Sequence, residues 1–419
     1  MDDSEFPTPA PGFVRRTLAS LGSRNFRLFF IGQTVSNTGN WLTRVALTLL
    51  VLHRTGSGVA VGVLAACQYG PILLISAWAG VMVDRTDKRR LLFTTQTLEM
   101  GQSFALAALA FMHDAPIMAF YGTAVAGGIM LAFDNPVRRT FVNEMVPLRD
   151  VPNAVTLYSA MVNLSRIAGP ALAGVLIVTV GYGWCFTIDA VSYSTVLVAL
   201  AMMRTGELRT VKAAPRGAGQ IREGIRYITR VPELWVTFGM LLIIGLITRN
   251  FAVLFPLFVE HGLHGSDVQF TAVYSAFSVG ALVGAVFVAR RTDITIRTVV
   301  AGAVALGVAM LGMAAVPSAA LAIAMAVVVG AASVAYMTAT SAIVQIRTEQ
   351  QMIGRVLAFQ AILMIGTQPI SGPIIGVISD TLGSRVAVII AALGALAAAG
   401  FGLVANRRLR AQGQHHAET

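Results

Sequence analysis

The sequence is poor in charged residues and rich in apolar ones. Only 12% of its 419 residues are Asp, Glu, Lys or Arg, whereas 56% are hydrophobic, and its mean hydropathy is +0.72. A soluble chain of this length would have too few polar residues to cover its surface. The composition therefore predicts a membrane protein.

Lysine and cysteine are almost missing, and several enzyme motifs are absent. Neither of the two lysines, Lys88 and Lys212, follows a glycine, which excludes a phosphate-binding Gly-Lys loop. The HExxH and GxSxG motifs do not occur. The two cysteines, Cys67 and Cys185, lie in different apolar segments, and we interpret them as packing residues rather than a disulfide. We predict neither an enzyme nor a bound cofactor.

Long apolar runs fill most of the chain. About 20 apolar residues suffice to cross roughly 30 Å of hydrocarbon, and we count twelve such stretches. They are 26–52, 59–83, 91–112, 116–136, 155–180, 184–203, 234–258, 268–289, 298–316, 318–342, 353–378 and 384–405. The sequence predicts an all-α membrane protein with twelve transmembrane helices.

The basic residues predict the orientation. Of the 31 Lys and Arg residues, 26 fall in seven segments, 15–27, 85–90, 138–149, 204–230, 290–297, 347–355 and 407–410. Short basic loops stay on the cytoplasmic side, so both termini are expected to be cytoplasmic. Because the charge is divided among separate segments, the excess of +11 does not indicate nucleic-acid binding.

The location follows from the same composition. The acidic opening MDDSEFPTPAPG lacks the character of a cleavable signal peptide and is expected to be a disordered tail. Arginine makes up 29 of the 31 basic residues, which suggests a GC-rich bacterial genome. We expect a multi-pass protein of the bacterial inner membrane.

Internal repetition divides the chain into two halves. GVMVDRTDKRR from Gly80 is echoed 204 residues later by GAVFVARRTD, and GPALAGV from Gly169 is echoed 203 residues later by GPIIGV. A constant offset indicates duplicated six-helix bundles. The predicted organisation is a cytoplasmic tail (1–25), a first bundle (26–204), a linker (205–233), a second bundle (234–406) and a cytoplasmic tail (407–419).

The linker has an amphipathic pattern. Three arginines recur every four residues, and three isoleucines lie on another face; these are Arg222, Arg226, Arg230, Ile221, Ile225 and Ile228. The pattern predicts a short helix on the anionic membrane surface, with an ordinary solvated linker as the alternative.

Four motifs resemble one transporter family. GVMVDRTDKRR between the second and third spans is similar to the loop signature of the major facilitator superfamily. NFRLFFIGQTVSNTGNWLTRVAL, NPVRRTFVNEMVPLRDVPNAVTL and GQIREGIRYITRVPEL resemble its exporter branch, which contains the enterobactin exporter and the macrolide efflux proteins. The resemblance covers nearly the whole chain and implies two six-helix bundles of the major facilitator fold.

The resemblance also implies a gating latch in the basic loop. Gly80 would let two helices approach closely, and Asp84 would face the N-terminus of the eleventh span or pair with Lys88 and Arg89. The latch candidates are Gly80, Asp84, Arg85, Lys88, Arg89, Asp134 and Arg138. Asp87 replaces a family glycine, and the echo at 284–293 has no acid matching Asp84. The alternative is a basic loop that only sets topology.

Two Gly-Pro pairs predict close packing and kinks in the fifth and eleventh spans. These are Gly169-Pro170 and Gly372-Pro373. Glycine admits a neighbouring backbone, and neighbouring helices re-satisfy the hydrogen bonds that proline frees. The first pair resembles the antiporter signature of exporters, although its leading glycine repeat is missing.

A polar stripe predicts a cavity between the bundles. Gln33, Asn37, Asn40, Trp41 and Arg44 recur at helical spacing in the first span, so they share one face. Because lipid would penalise such a face, it should line protein or a water-filled cavity. Arg249, Asn250 and Tyr336 are the candidates in the other half, with a purely structural role as the alternative for each.

Proton coupling needs a titratable carboxylate within the membrane. The candidates are Glu99, Asp134 and Asp189, with Asp84 at the latch. Arg44 and Asp189 lie at similar predicted depth and could pair, in which case Asp189 would be a static ion-pair residue. Asn40 stands where some relatives carry a carboxylate, so coupling at that position is not expected.

One loop contains a possible metal-binding spacing. EHGLHGSD offers Glu260, His261, His264 and Asp267 after the seventh span. Histidines three residues apart can chelate a metal, but we interpret the segment as an exposed polar loop and predict no metal site.

The combined prediction is a monomeric secondary transporter in the lipid bilayer. It exports an amphipathic small molecule, either a drug such as a macrolide or a siderophore-like compound, in exchange for protons. The proton gradient replaces any cofactor. Two alternatives remain open: uptake or lysolipid flipping, and a transport-dead sensor or scaffold with the same fold.

Overall fold

The computed structural model describes residues 18–209, 220–290 and 293–417, without the side chains of residues 77, 81, 84, 220–222, 289 and 408–417. Three parts of the prediction therefore lie wholly or largely outside the described residues. They are the N-terminal tail, the segment 210–219, and the side chains of Asp84, Ile221 and Arg222.

The described residues form twelve helical passes in two sets of six. The first set is α1 (Arg24–Thr55), α2 (Gly58–Arg85), α3 (Lys88–Phe111), α4 (Ile117–Phe141), α5 (Val151–Val180) and α6 (Tyr182–Ala201). After the linker helix α7 (Gln220–Arg230), the second set is α8 (Pro232–Ile247) with α9 (Phe251–Leu257), α10 (Asp267–Ala289), α11 (Ile296–Ala315), α12 (Ala319–Arg347), α13 (Ile353–Gly366) with α14 (Gln368–Leu382), and α15 (Ser384–Ala417).

Ten of the passes are long and apolar enough to cross a membrane on composition alone, and α1 and α3 are not among these ten. Both helices have polar side chains that are buried in the first bundle. Gln33, Gln96 and Glu99 are exposed by 0%, 0% and 3%. The polar character of α1 and α3 is therefore directed into the protein rather than at lipid.

Two passes of the second bundle are interrupted. The seventh is helical to Ile247 and resumes at Phe251, and the eleventh is interrupted at Thr367. Pro369 follows that second interruption; it lacks an N–H and its ring clashes with the preceding turn. The eleventh pass thus breaks at Thr367 and not at the predicted Gly372-Pro373 pair, and Pro170 lies within the continuous helix α5.

The core of the described residues consists of three buried apolar clusters. We call the end that carries residues 85–90 the basic end, and the end that carries Ser57 and Asp380 the opposite end. One buried apolar cluster runs through both bundles. Toward the basic end each bundle has its own cluster, formed around Phe29, Leu92 and Phe141 in the first and around Leu234 and Phe238 in the second.

The linker helix packs on the second bundle. Ile228 is 2% exposed, whereas Ile225 is 41% exposed, and Arg355 pairs with Glu223 at 2.7 Å. Arg226 and Arg230 are exposed. One predicted apolar residue of this helix thus faces protein, and the arginines remain free to face solvent or lipid headgroups.

Candidate functional site

A buried polar cluster lies inside the first bundle and is centred on Arg138. This side chain of α4 pairs with Asp134 one turn earlier and with Glu99 of α3 at 3.2 Å. It also donates hydrogen bonds to Gln33 Oε1 at 2.8 Å and Asn37 Oδ1 at 3.2 Å. Arg138 therefore joins the acids of α3 and α4 to the polar stripe of α1.

Asp134 has further donors on α3. Its Oδ1 accepts hydrogen bonds from Thr95 Oγ1 at 3.1 Å and Gln96 Nε2 at 2.9 Å, and Gln96 Nε2 also lies 2.9 Å from Glu99 Oε2. The latch prediction grouped Asp134 and Arg138 with the basic loop. The structure brings them together with Glu99, Gln33 and Asn37 instead.

Asp189 is buried without an arginine partner. It is 0% exposed and accepts a hydrogen bond from Ser103 Oγ at 2.8 Å. Within the described residues Arg44 forms no ion pair with it and donates instead to Asn40 Oδ1 at 2.9 Å. A Cβ at Gly39 would lie 2.6 Å from Asp189 Oδ1. Because Gly39 faces Asp189, Arg44, five residues further on, lies on a different face of α1.

Glu99 and Asp189 border the same small cavity. It has a volume of about 60 Å³ and its polar lining includes Asn40, Arg44, Gln68, Glu99, Gln102, Asp189 and Tyr193. A cavity of this size and polarity has room for a few water molecules. Water could therefore relay a proton between Glu99 and Asp189.

The cluster contains more buried carboxyl groups than arginines that pair with them. Glu99, Asp134 and Asp189 are three buried carboxyl groups, and the arginine that pairs with any of them in the described structure is Arg138. Burying an unpaired charge costs several kcal/mol. The arrangement is therefore suited to binding a proton.

A second group of polar residues lies where the two bundles meet. The Cζ atoms of Arg44 and Arg166 lie 5.2 and 5.3 Å from the centre of the Trp41 ring, and that ring lies 6.3 Å from Tyr274 of the other bundle. We call this region the central chamber, after the cavity between the bundles that the stripe on α1 predicts. Arg166 and Tyr274 were not among the predicted cavity residues, although Arg166 is one of the few arginines within a predicted span.

The three residues predicted in the second bundle are anchored within that bundle. Arg249 and Asn250 occupy the interruption between α8 and α9. Arg249 Nη2 donates to Met364 O at 3.1 Å, and Asn250 Nδ2 donates to Ser371 Oγ at 3.1 Å. Tyr336 is 0% exposed, and its hydroxyl faces only the hydroxyl of Thr340 one turn away.

The basic loop forms contacts within the first bundle. Lys88 Nζ lies 2.5 Å from Glu144 Oε1, and Arg89 Nε donates to Leu200 O at 2.8 Å. The expected pairing of these cations with Asp84 involves a side chain outside the described residues and stays a prediction. Gly80 is half-buried in α2 and Arg85 is exposed. Glu144 is a partner that the sequence did not reveal.

At the opposite end an acid of the second bundle caps a helix of the first. Asp380, near the C-terminus of α14, accepts from Gly58 N at 2.6 Å, Val59 N at 3.0 Å and Ser57 Oγ at 2.8 Å. The two backbone amides belong to the first turn of α2, where they have no partner within the helix and the helix dipole favours an anion. Asp380 was not predicted.

Glycines let α2 and α14 approach closely beside this cap. A Cβ at Gly62 would lie 2.5 Å from Gly372 O, and a Cβ at Gly372 would lie 2.9 Å from Gly62 O. The predicted role of Gly372 in close packing thus corresponds to this contact. Gly169 packs similarly against the Cβ of Trp41.

A polar cluster also spans the bundles at this end. His53 Nε2 lies 3.2 Å from Asp267 Oδ1 and 3.6 Å from Glu260 Oε2, and the hydroxyl of Tyr182 donates to Asp267 Oδ2 at 3.0 Å. Two residues of the predicted polar loop thus turn toward His53 rather than toward His261 or His264. The hydrogen bond to Asp267 raises the pKa of His53, which lies beyond the predicted first span, above its usual 6.5.

The chain makes twelve passes in two bundles, with buried charge inside one bundle and between the two. This arrangement defines a transporter of the major facilitator type and not an enzyme. The sequence profile of the transmembrane secretion effector family matches residues 15–417, and the chain belongs to this family. The resemblance inferred from the motifs is confirmed, and the protein is an efflux or secretion transporter.

Relatives with known names include an efflux pump and a transporter. The chain is 26% identical over 369 residues to the multidrug efflux pump Tap of Mycolicibacterium fortuitum, covering 85% of this chain and 89% of that one. It is 30% identical over 168 residues to the staphyloferrin A transporter of Staphylococcus aureus (strain NCTC 8325 / PS 47), covering 40% of this chain and only 42% of that protein.

Solved structures share the fold at low identity. A bacterial homolog of the human lysosomal transporter Spinster, crystallised inward-facing and unoccupied, has a TM-score of 0.71 and 15% identity and covers 91% of this chain and 97% of its own. A POT family transporter in complex with a thioalcohol-conjugated peptide has a TM-score of 0.75 and 11% identity and covers 94% and 99%.

Proposed function

We propose that this protein exports an amphipathic small molecule across the bacterial inner membrane in exchange for protons, by alternating access. The observation that supports it most is the buried cluster of Glu99, Asp134 and Asp189, in which one arginine pairs with two of three acids. The names of the relatives favour a drug or a siderophore as substrate.

Arg138 supplies the link between proton and substrate. It is bound at once to Glu99 and to Gln33 and Asn37 of α1, and α1 also carries Trp41 and Arg44 of the central chamber. Protonation of Glu99 removes one of the ion pairs of Arg138 and allows the guanidinium to reorient. A change on the proton side thereby reaches the helix that lines the chamber.

The closed and open ends support alternating access. At the opposite end Asp380, His53 and the Gly62–Gly372 contact join the bundles. At the basic end the apolar clusters of the two bundles are separate. If the basic end is cytoplasmic, as the positive-inside pattern predicts, the chamber opens to the cytoplasm.

Glu99→Gln tests the coupling. Glutamine keeps the size and hydrogen bonding of the side chain but cannot carry a proton. In inside-out vesicles with an acidic interior, we expect wild-type protein to accumulate a substrate found by screening labelled drugs and a siderophore extract, and a protonophore to abolish accumulation. The variant should lose accumulation yet retain counterflow of labelled against unlabelled substrate.

Arg149→Gln is the control variant. The side chain of Arg149 is 86% exposed, so this variant should transport normally. Accumulation by Glu99→Gln at the wild-type level would exclude Glu99 as the proton carrier. Failure of the wild type to transport any compound of the panel would contradict the proposed export.

His53 predicts a pH-dependent closure of the opposite end. The groups that face it are Asp267, Glu260 and Tyr182. Because the pKa of His53 is raised in the closed arrangement, its contribution to closure is fully present below about 6.5 and is lost as pH rises through the raised value. Spin labels at Thr55→Cys and Thr381→Cys, in a background without Cys67 and Cys185, should report longer distances at pH 8 than at pH 6.

His53→Gln is expected to remove that dependence, since glutamine does not titrate. An unchanged distance distribution between pH 6 and pH 8 in the wild-type background would show that His53 does not control closure.

A further inference from the structure

The central chamber contains positive charge that no carboxylate neutralises. Arg166 of α5 and Arg249 of the seventh pass come from opposite bundles, and neither forms an ion pair with an acid in the described structure. Among the described residues Arg166 lies near enough to Arg249 to repel it, and no carboxylate there offsets this repulsion. Intramembrane arginines are costly and usually mark a binding site.

A third arginine lies at the edge of the same region. Since the guanidinium carbons of Arg44 and Arg166 are 5.2 and 5.3 Å from the same Trp41 ring centre, they are at most 10.5 Å apart. The face of Trp41 attracts both cations but does not cancel their charge. Arg44 also borders the cavity that Glu99 and Asp189 line, so it touches both the acid cluster and the chamber.

Arg166 has a donor in this region that is buried and unused. Its Nε has no hydrogen-bond partner among the described residues, and the hydroxyl of Tyr336, which is 0% exposed, faces only the hydroxyl of Thr340 one turn away. A buried donor without an acceptor is unfavourable unless something else supplies the acceptor. Guanidinium groups present several N–H donors in a planar fork that matches a carboxylate or phosphate.

The rest of the lining is aromatic. Trp41 and Tyr274 contact each other across the two bundles, and the hydroxyl of Tyr69 accepts a hydrogen bond from Arg44 Nη1 at 3.4 Å. Aromatic faces of this kind bury a large apolar area and keep a polar group at one edge. The chamber therefore offers an apolar surface beside a positively charged one.

We propose that the central chamber binds an amphipathic organic anion, with a carboxylate or phosphate head held by Arg166 and Arg249 and an apolar body packed on Trp41 and Tyr274. This inference rests on the proposed export function and names its substrate class. An anion leaving a cell whose interior is negative is driven outward by the membrane potential, at about 2.3 kcal/mol per charge per 100 mV.

Two probes with the same apolar body and opposite charge test the proposal. Pyrenebutyrate carries a carboxylate, and the corresponding pyrenebutyl-trimethylammonium carries a cation. We would measure binding of both to the full-length protein in phosphatidylcholine nanodiscs, with empty nanodiscs subtracted and no ion gradient present. The anion should bind at least about tenfold more tightly than the cation.

The variants assign the binding to the chamber. Arg166→Gln and Arg249→Gln should each weaken binding of pyrenebutyrate by about tenfold or more, which is the loss of one charge-assisted contact. Arg166→Lys, which keeps the charge, should lose less than Arg166→Gln. The exposed Arg149→Gln should bind like the wild type, and size-exclusion profiles check that each variant is folded.

A third probe distinguishes the source of the anion. If oleoyl-lysophosphatidate competes with pyrenebutyrate, the chamber accepts lipid headgroups; if it does not, the site favours soluble carboxylates, and both results support an anion site. Equal binding of the cationic probe, or unchanged pyrenebutyrate affinity in both glutamine variants, would overturn the proposal.

Binding without a gradient separates this inference from the proposed function. A protein that binds the anion in nanodiscs but transports nothing in vesicles refutes export and leaves the anion site standing. A protein that exports cationic drugs with protons but does not bind pyrenebutyrate refutes the anion site alone.

Discussion

Arg138→Gln is expected to destabilise the protein by about 3–5 kcal/mol, because it removes the partner of two buried acids. Asp134 and Glu99 are exposed by 0% and 3%, so water cannot take the place of the guanidinium. The same change removes the hydrogen bonds that tie α4 to Gln33 and Asn37 of α1. A large drop in the melting temperature in detergent, with loss of monodisperse protein, is the expected measurement.

A compensating variant shows whether charge is the cause. Arg138→Gln combined with Asp134→Asn and Glu99→Gln replaces the ionic cluster by amides, and neutral replacement of a whole buried ion cluster is often tolerated. We expect it to regain most of the lost stability while remaining unable to couple to protons. If the single variant is as stable as the wild type, Arg138 does not compensate the acids.

Gly62→Ala is expected to prevent closure of the opposite end and to reduce transport by about one to two orders of magnitude. The added Cβ would lie 2.5 Å from Gly372 O and 2.7 Å from Pro373 Cα. Both neighbours are backbone atoms, so α2 and α14 must move apart. Overpacking of this kind costs about 1–3 kcal/mol. A cost of that size changes the equilibrium constant between the closed and open forms by about one to two orders of magnitude.

Gly70 provides the matched control on the same helix. A Cβ there meets nothing within 4 Å, so Gly70→Ala should transport normally. The distance between spin labels at Thr55→Cys and Thr381→Cys should lengthen in Gly62→Ala and not in Gly70→Ala. Equal distances in the two variants would contradict a gate at the Gly62–Gly372 contact.

The sequence predicted the passes well because each obeys a local rule. Hydrocarbon thickness fixes the length of an apolar helix, and the repeated motifs at constant offset divide the helices into two bundles. The stripe on α1 was also readable, since helical spacing places Gln33, Asn37 and Arg44 on one face. The residues that contact this stripe could not be predicted, because helical periodicity tells which way a side chain faces and not which side chain it contacts.

The Arg44–Asp189 pair shows the limit of depth as a guide. Similar rise along two helices made the pairing plausible, yet Gly39 faces Asp189 and Arg44 turns toward Asn40 and Tyr69. Rotation about the helix axis decided the outcome, and it depends on packing against the neighbouring helices. Glu144 likewise binds Lys88 through a contact between residues 56 positions apart.

The sequence by itself determined that this is a twelve-pass, two-bundle membrane protein, because hydrophobic length, basic loops and internal repeats are properties of the chain read locally. The resemblance of its motifs to a known family added that it is a transporter. Only the tertiary structure decided that Arg138 joins Glu99 to Asp134, that Asp380 caps α2, and that Arg166 packs over Trp41 where the bundles meet. Those contacts join side chains that are distant in sequence. Hydrogen bonds and ion pairs form only when the atoms lie within a few ångströms of each other, and the packing of the helices sets those positions.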